Sequence, residues 1–117
     1  MAPLYIELKQ YHNAIDSLKK VIEQEDQEVL KVNLLTKITG YYKKADLYEL
    51  SLQASQDAYE LIKRLRGMDD AQTWRCFLNI ANVYQHFERN EEAKSRYQEF
   101  LNTFENYTIN GEGGYYS

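Results

Sequence analysis

Residues 79–101, NIANVYQHFERNEEAKSRYQEFL, contain two apolar stripes at helical spacing with a short polar segment between them. Ile80, Ala81 and Tyr84 share one face of a first helix, because residues three and four apart are neighbours on a helix surface. Ala93 begins the corresponding stripe of a second helix. Each stripe places one alanine among larger apolar side chains, which is expected where two helices approach closely. The stretch therefore predicts a helical hairpin that crosses at its two alanines.

The rest of the chain has the same helical spacing. No Asn-Gly pair lies between alternating, strand-like segments, so nothing in the sequence predicts a β-hairpin. Helices are predicted over about residues 29–44 and 46–65. Gly67 is expected to end a helix in the left-handed conformation, and Asp69 or Asp70 to cap the helix that follows.

The first part of the chain is predicted to be a partial hairpin. Residues 1–8, MAPLYIEL, form the end of a short helix that is followed by a turn. A second helix then carries an apolar stripe that includes Ala14, Leu18 and Val21. Its apolar edge would have no preceding helix to cover it.

The apolar pattern recurs at a separation of 42 residues. The matching pairs are Ile38 and Ile80, Thr39 and Ala81, Tyr42 and Tyr84, Ser51 and Ala93, and Ala58 and Phe100. A further match, at 79 residues, relates Ala14, Leu18 and Val21 to Ala93, Tyr97 and Phe100. In each set a small residue recurs between larger apolar ones, which predicts helix-turn-helix units in series.

These residues resemble the tetratricopeptide repeat family. Its first helix has a large apolar residue, an apolar–small pair and an aromatic residue, and its second helix has an alanine followed by an aromatic residue. The match in the last unit consists of Phe77, Ile80, Ala81, Tyr84, Ala93 and Tyr97. The separation of 42 residues exceeds the ~34 of the family and is similar to the longer repeats of the kinesin light chain group. The chain departs from the family at Phe100, Ser55 and Glu88, where alanine, an aromatic residue and glycine are usual.

The resemblance implies an all-α fold, a right-handed α-α superhelix of antiparallel helix pairs. About 2.5 units would occupy residues 1–107, with bounds at 1–26, 29–66 and 70–107. Residues 108–117 would form a flexible C-terminal tail. A stack of this size is expected to be a fragment, or a short relative, of a longer array.

The resemblance also implies a non-catalytic protein-interaction module that holds a peptide or a partner helix on its concave face. The residues expected on that face are mostly basic or amide-bearing, which favours an acidic partner. They are Lys37, Lys43, Lys44, Arg75, Asn79, Asn82, Gln85 and His86. Asn33, Thr36, Gly40 and Leu78 are expected on the same face. Two alternatives stay open: a peptide-sensing regulatory domain, and a module that self-associates or assembles through its open N-terminal edge.

Other classes of function find no support in the sequence. The net charge of -4 gives no electrostatic reason to expect nucleic acid as a partner. No apolar run approaches the ~18 residues of a membrane span, and the N-terminus does not have the pattern of a secretory signal. Cys76 is the only cysteine, which favours a reducing, cytoplasmic setting.

Candidate metal and catalytic residues do not form recognisable motifs. His12 and His86 each lack a second ligand three or four residues away that would suit zinc. Cys76 has no base beside it in the sequence and is expected to be a small buried residue. We therefore expect no metal site, no cofactor and no enzymatic activity.

Overall fold

The computed structural model describes the backbone of residues 5–109 and the side chains of residues 6–103. Within them the chain forms α1 (Tyr5–Gln24), α2 (Glu28–Lys44), α3 (Tyr48–Arg66), α4 (Ala71–His86) and α5 (Asn90–Ile109), and no strand. The predicted all-α class is confirmed. α5 ends at Ile109, beyond the predicted domain boundary at 107, and residues 110–117 of the predicted tail lie outside the described residues.

The first helix differs from the prediction. α1 runs unbroken through residues 9–13, KQYHN, where the sequence predicted a turn. Its packed stripe consists of Leu8, Tyr11, Ile15, Leu18 and Ile22, which join one apolar cluster with residues of α2 and α3. Because this stripe crosses residues 9–13 without a gap, burial stabilises the helix there. Val21, predicted on the buried face, is 45% exposed, since it lies about 100° around the helix from Ile22.

The connection between α3 and α4 combines a glycine end with an aspartate cap. Gly67 has φ 76° and ψ 179°. Its positive φ agrees with the prediction, but its ψ lies outside the left-handed helical region, in a conformation almost exclusive to glycine. Asp70 caps α4 as predicted, because its side chain accepts a hydrogen bond of 2.8 Å from the Gln72 N–H.

The turns α2–α3 and α4–α5 have the same backbone conformation at a separation of 42 residues. Asp46 and Glu88 have positive φ angles of 63° and 62°. In each turn the N–H of the following residue donates a hydrogen bond to a tyrosine carbonyl of the preceding helix. Leu47 donates to Tyr42 at 2.9 Å, and Arg89 donates to Tyr84 at 2.8 Å. Both turns are Schellman motifs. The repeat predicted from side chains therefore recurs in the backbone of the turns.

Glu88 occupies a position that favours glycine, because a side chain in the left-handed region costs about 1–2 kcal/mol. We expect Glu88→Gly to raise the free energy of unfolding by about 0.5–1 kcal/mol, since glycine's greater entropy in the unfolded chain offsets part of the gain. Urea unfolding followed by circular dichroism measures the change. Glu91→Gly, inside the first turn of α5, is the matched control and should destabilise. A loss of stability in Glu88→Gly would contradict the assigned turn.

Small residues lie where the helices of each hairpin meet. In the first hairpin the Ser51 hydroxyl donates a hydrogen bond of 3.2 Å to the Thr39 backbone carbonyl, so α3 reaches the backbone of α2 there. The matching residues of the second hairpin, Ala81 and Ala93, are 0% and 4% exposed. Their predicted burial is confirmed.

The helices form a flat arrangement in which α2 and α4 lie side by side. Each helix contacts the next in the chain, and α2 also contacts α4. Asn33 meets Gln72 near the starts of the two helices, and Lys43 meets Asn82 near their ends, so α2 and α4 are parallel. The molecule measures 55 × 35 × 19 Å. Its thickness equals roughly two helix diameters of ~10 Å, as expected for two layers of helices.

Candidate functional site

A cleft of about 650 Å³ lies between the parallel helices α2 and α4. Its lining is rich in amide side chains and comprises Asn33, Thr36, Gln72, Arg75, Cys76, Leu78, Asn79, Asn82 and Tyr97. All but Tyr97, which belongs to α5, come from α2 and α4. α2 and α4 therefore present polar residues on the same side of the helix pair, where the cleft lies.

The structure brings four of the eight predicted site residues together. Arg75, Asn79 and Asn82 line the cleft, and they lie on one face of α4 because they are spaced by four and three residues. The Lys43 ammonium donates a hydrogen bond to the Asn82 side-chain oxygen across the two helices. Burial lowers the pKa of Lys43 from its usual value.

Lys43 reaches this cleft only through its hydrogen bond to Asn82, and the other four predicted residues do not line it. The Lys44 ammonium lies over the rings of Tyr11 and Tyr41, at 6.0 and 5.7 Å from their centroids. One residue beyond Lys43, it is turned about 100° around α2, toward α1. Lys37 is exposed on α2, outside the cleft lining.

At the end of α4, Gln85 and His86 have partners within their own hairpin. The Gln85 oxygen accepts a hydrogen bond of 3.1 Å from the Tyr97 hydroxyl of α5. The His86 ring packs edge-on against Phe87, with centroids 4.8 Å apart. Neither residue lines the cleft, so the observed cleft is shorter than the predicted groove and does not reach the end of α4.

Sequence reasoning missed Gln72 and Tyr97 as lining residues. Gln72 lies three residues before Arg75 and seven before Asn79, so helical spacing alone places it on the same face. Its amide nitrogen donates to the Asn33 oxygen at 3.5 Å. Tyr97 belongs to the apolar stripe of α5, and no sequence signal distinguishes its hydroxyl end from the other tyrosines. Both residues extend the set of hydrogen-bonding groups in the cleft.

Cys76 forms part of the cleft wall and is 5% exposed, which confirms the predicted buried position. Burial raises the pKa of its thiol, and the Thr36 hydroxyl and Arg75 charge oppose that shift. The raised pKa keeps the thiol protonated near neutral pH, in the unreactive form. Cys76 therefore contributes to packing.

The electrostatics of the cleft favour an anionic or neutral polar ligand. Arg75 is its one charged lining residue among those described, and no described lining residue is acidic. Amide side chains both donate and accept hydrogen bonds, and Asn33, Gln72, Asn79 and Asn82 supply this pairing along the cleft. Such an arrangement suits a peptide backbone that carries a carboxylate near Arg75.

Among the described residues there is neither a metal-binding cluster nor a helix that could span a membrane. No group of three or more His, Cys, Asp or Glu side chains is placed to hold a metal ion among them. None of the described helices combines the length and apolar character needed to cross a bilayer.

A scan against protein-family models, a search of curated proteins and a search of solved structures each gave no match.

Proposed function

We propose that the chain is a tetratricopeptide-like module of about 2.5 units that binds an extended, acidic segment of a partner protein between α2 and α4. Its helix pairs would stack into a right-handed superhelix, and the cleft would lie on the concave face. The module acts without catalysis, as a scaffold or as the peptide-sensing part of a regulator. A cytoplasmic setting is part of the proposal and rests on the single cysteine.

The repeated hairpin supports the solenoid part of the proposal. Two turns with the same hydrogen bonds, 42 residues apart, join helices of similar length. The first helices of the two hairpins, α2 and α4, are parallel neighbours. Repetition of one hairpin with parallel first helices is how a solenoid forms a continuous binding surface.

The cleft carries the binding part of the proposal. Four amide side chains face a space of about 650 Å³, which is large enough for several residues of extended peptide. Amides can hydrogen-bond to the N–H and C=O groups of such a segment whatever its side chains are. Arg75 adds a guanidinium that pairs well with a carboxylate, which is the reason for an acidic ligand.

Capture of binding proteins by immobilised chain variants tests this function. We expect Asn79→Ala with Asn82→Ala to lower retention of the specific partner by about tenfold or more, because two hydrogen-bonding amides are lost. Lys44→Ala is the matched control, since Lys44 is basic and exposed but lies against Tyr11 and Tyr41. Equal retention by the double variant and the wild type would contradict the proposed cleft.

The acidic character of the partner needs a separate variant. Arg75→Gln keeps hydrogen-bonding ability but removes the charge. We expect weaker binding of the captured segment and a smaller dependence of its affinity on salt. Replacing the acidic residues of the segment by amides should weaken its binding to the wild type more than its binding to Arg75→Gln. An equal loss of affinity for both would contradict the charge pairing but not the cleft.

Self-association is a second candidate, favoured by the exposed apolar residues of α1. Ile6 and Val21 are 70% and 45% exposed, on the helix that begins the described stack. Exposed apolar side chains on such a helix can contribute to a contact with another chain. Ile6→Lys with Val21→Lys should then convert an assembly to a monomer in analytical ultracentrifugation, and a wild-type monomer at all concentrations would exclude this candidate.

A further inference from the structure

A second cleft, of about 540 Å³, lies along α4 and α5. Its lining is mainly apolar, with Met68, Ala71, Trp74, Leu78, Phe100 and Thr103, and its charged residues are Asp69 and Arg75. Arg75 and Leu78 also line the cleft between α2 and α4. Trp74 and Phe100 pack edge-on, with ring centroids 5.5 Å apart, and form part of one wall. Among the described helices α5 contacts α4 alone, so none of them packs on the outer edge of this last hairpin.

The equivalent edge of the first hairpin is covered, and α4 covers it. Positions 42 residues earlier relate Trp74 to Val32, Leu78 to Thr36, Phe100 to Ala58, and Thr103 to Leu61. Val32 and Ala58 form a buried cluster with Cys76 of α4, and Leu61 packs against that cluster. Thr36 lies beside the Cys76 thiol. The molecule therefore contains one example of what occupies such an edge, and the occupant is a helix.

We propose that the cleft of Trp74 and Phe100 binds an amphipathic α-helix of a partner protein, docked parallel to α4 as α4 is docked parallel to α2. Cys76 of α4 packs on the edge of the first hairpin, and Thr73 and Ile80, three residues before it and four after it, are also buried. A face of small or β-branched side chains at positions i, i+3 and i+7 is therefore the chemistry expected at this edge. This helix is a different ligand from the extended acidic segment, and the proposal does not depend on that first binding function.

The structure supplies its own reporter, because Trp74 is the only tryptophan of the chain. The probe is a synthetic peptide of residues 69–87, the α4 segment, made with phenylalanine in place of its tryptophan. Added to the full chain, it is expected to cause a saturable blue shift of the Trp74 emission, since docking removes water from the indole. A scrambled peptide of the same composition is expected to cause no saturable shift.

Charges placed in the cleft test the position of the docked helix. Ala71 and Thr103 are exposed, so Ala71→Glu with Thr103→Glu can be made at little risk to folding. We expect this double variant to bind the probe about tenfold more weakly, because docking would bury the two added carboxylates. Ser95→Glu, on α5 but outside the lining, is the matched control and should bind as the wild type does. None of these three residues lines the cleft between α2 and α4, and the variants leave Arg75 and Leu78, which line both clefts, unchanged. Failure here is therefore distinct from failure there.

A nitroxide label at either end of the probe tests its direction. Parallel docking predicts that a label on the N-terminus broadens the amide signals of Ala71 and Gln72, and that a label on the C-terminus broadens those near His86. Absence of a saturable shift, equal binding by the charged double variant, or the reverse pattern of broadening would each overturn the proposal. So would concentration-dependent self-association of the wild type that Ala71→Glu with Thr103→Glu removes, because the occupant would then be a second copy.

Discussion

Phe77→Ala is expected to lower the free energy of unfolding by about 3–5 kcal/mol, the range for truncating a buried phenylalanine. Phe77 is 3% exposed. Its ring packs against Tyr59 of α3 at 5.6 Å and Trp74 of α4 at 5.2 Å between centroids. The Arg96 guanidinium of α5 lies 5.6 Å from the same ring. One side chain therefore connects three helices, and its loss leaves a cavity between the hairpins.

Urea unfolding, followed by circular dichroism and by Trp74 fluorescence, measures this loss. Leu101→Ala is the control, because Leu101 is 50% exposed and its truncation should cost about 1 kcal/mol or less. A small domain has only about 5–15 kcal/mol of stability, so Phe77→Ala can leave little folded protein. Phe77→Leu then provides a milder test, with an expected loss of about 1–2 kcal/mol. Equal stability of Phe77→Ala and Leu101→Ala would contradict the packing of α3, α4 and α5 described above.

Ala81→Leu is expected to destabilise the chain by about 1–3 kcal/mol, because a larger side chain overpacks a close helix contact. Ala81 is completely buried. Its counterpart Thr39 has its backbone carbonyl 3.2 Å from the Ser51 hydroxyl, which shows how near the two helices of a hairpin come. Ala93→Leu, on the opposite helix, should have an effect of the same size.

Ala71→Leu is the matched control for both leucine variants, since it makes the same substitution at an exposed position of α4. Its effect on the free energy of unfolding should stay within about 0.5 kcal/mol. If Ala81→Leu and Ala93→Leu are as stable as Ala71→Leu, the hairpin does not cross at its alanines. The small residues that recur at a separation of 42 residues would then not mark the contact between the two helices of a hairpin.

The sequence predicted those features of the fold that depend on local patterns. The α4–α5 hairpin follows from the spacing of apolar residues around Ala81 and Ala93, and the start of α4 follows from the capping preference of Asp70. α1 was predicted wrongly, because Ile15 and Tyr11 continue its packed stripe through residues 9–13. The tetratricopeptide resemblance predicts a turn in this segment, whereas the apolar spacing of the segment indicates a continuous helix.

The candidate cleft was only partly predictable. Arg75, Asn79 and Asn82 share a helical face, so their joint position follows from spacing alone. Lys44 and Lys43 are adjacent in the sequence, yet Lys44 contacts the tyrosine rings of α1 and α2 while Lys43 bonds to Asn82 of α4. Which neighbouring helix a side chain meets depends on tertiary packing. Sequence periodicity predicts the direction of a side chain around its own helix, but it does not predict which residue of a neighbouring helix that side chain contacts.

Amide chemical-shift mapping tests the central claim, that the α2–α4 cleft is the binding surface, most directly. The full chain is labelled with nitrogen-15, and the segment identified by capture is titrated into it. We expect the largest shifts at Asn33, Asn79 and Asn82, with little change at Lys44 and at the exposed α1 residues Ile6 and Val21. Shifts concentrated on α1, with the signals of Asn79 and Asn82 unmoved at saturation, would contradict it.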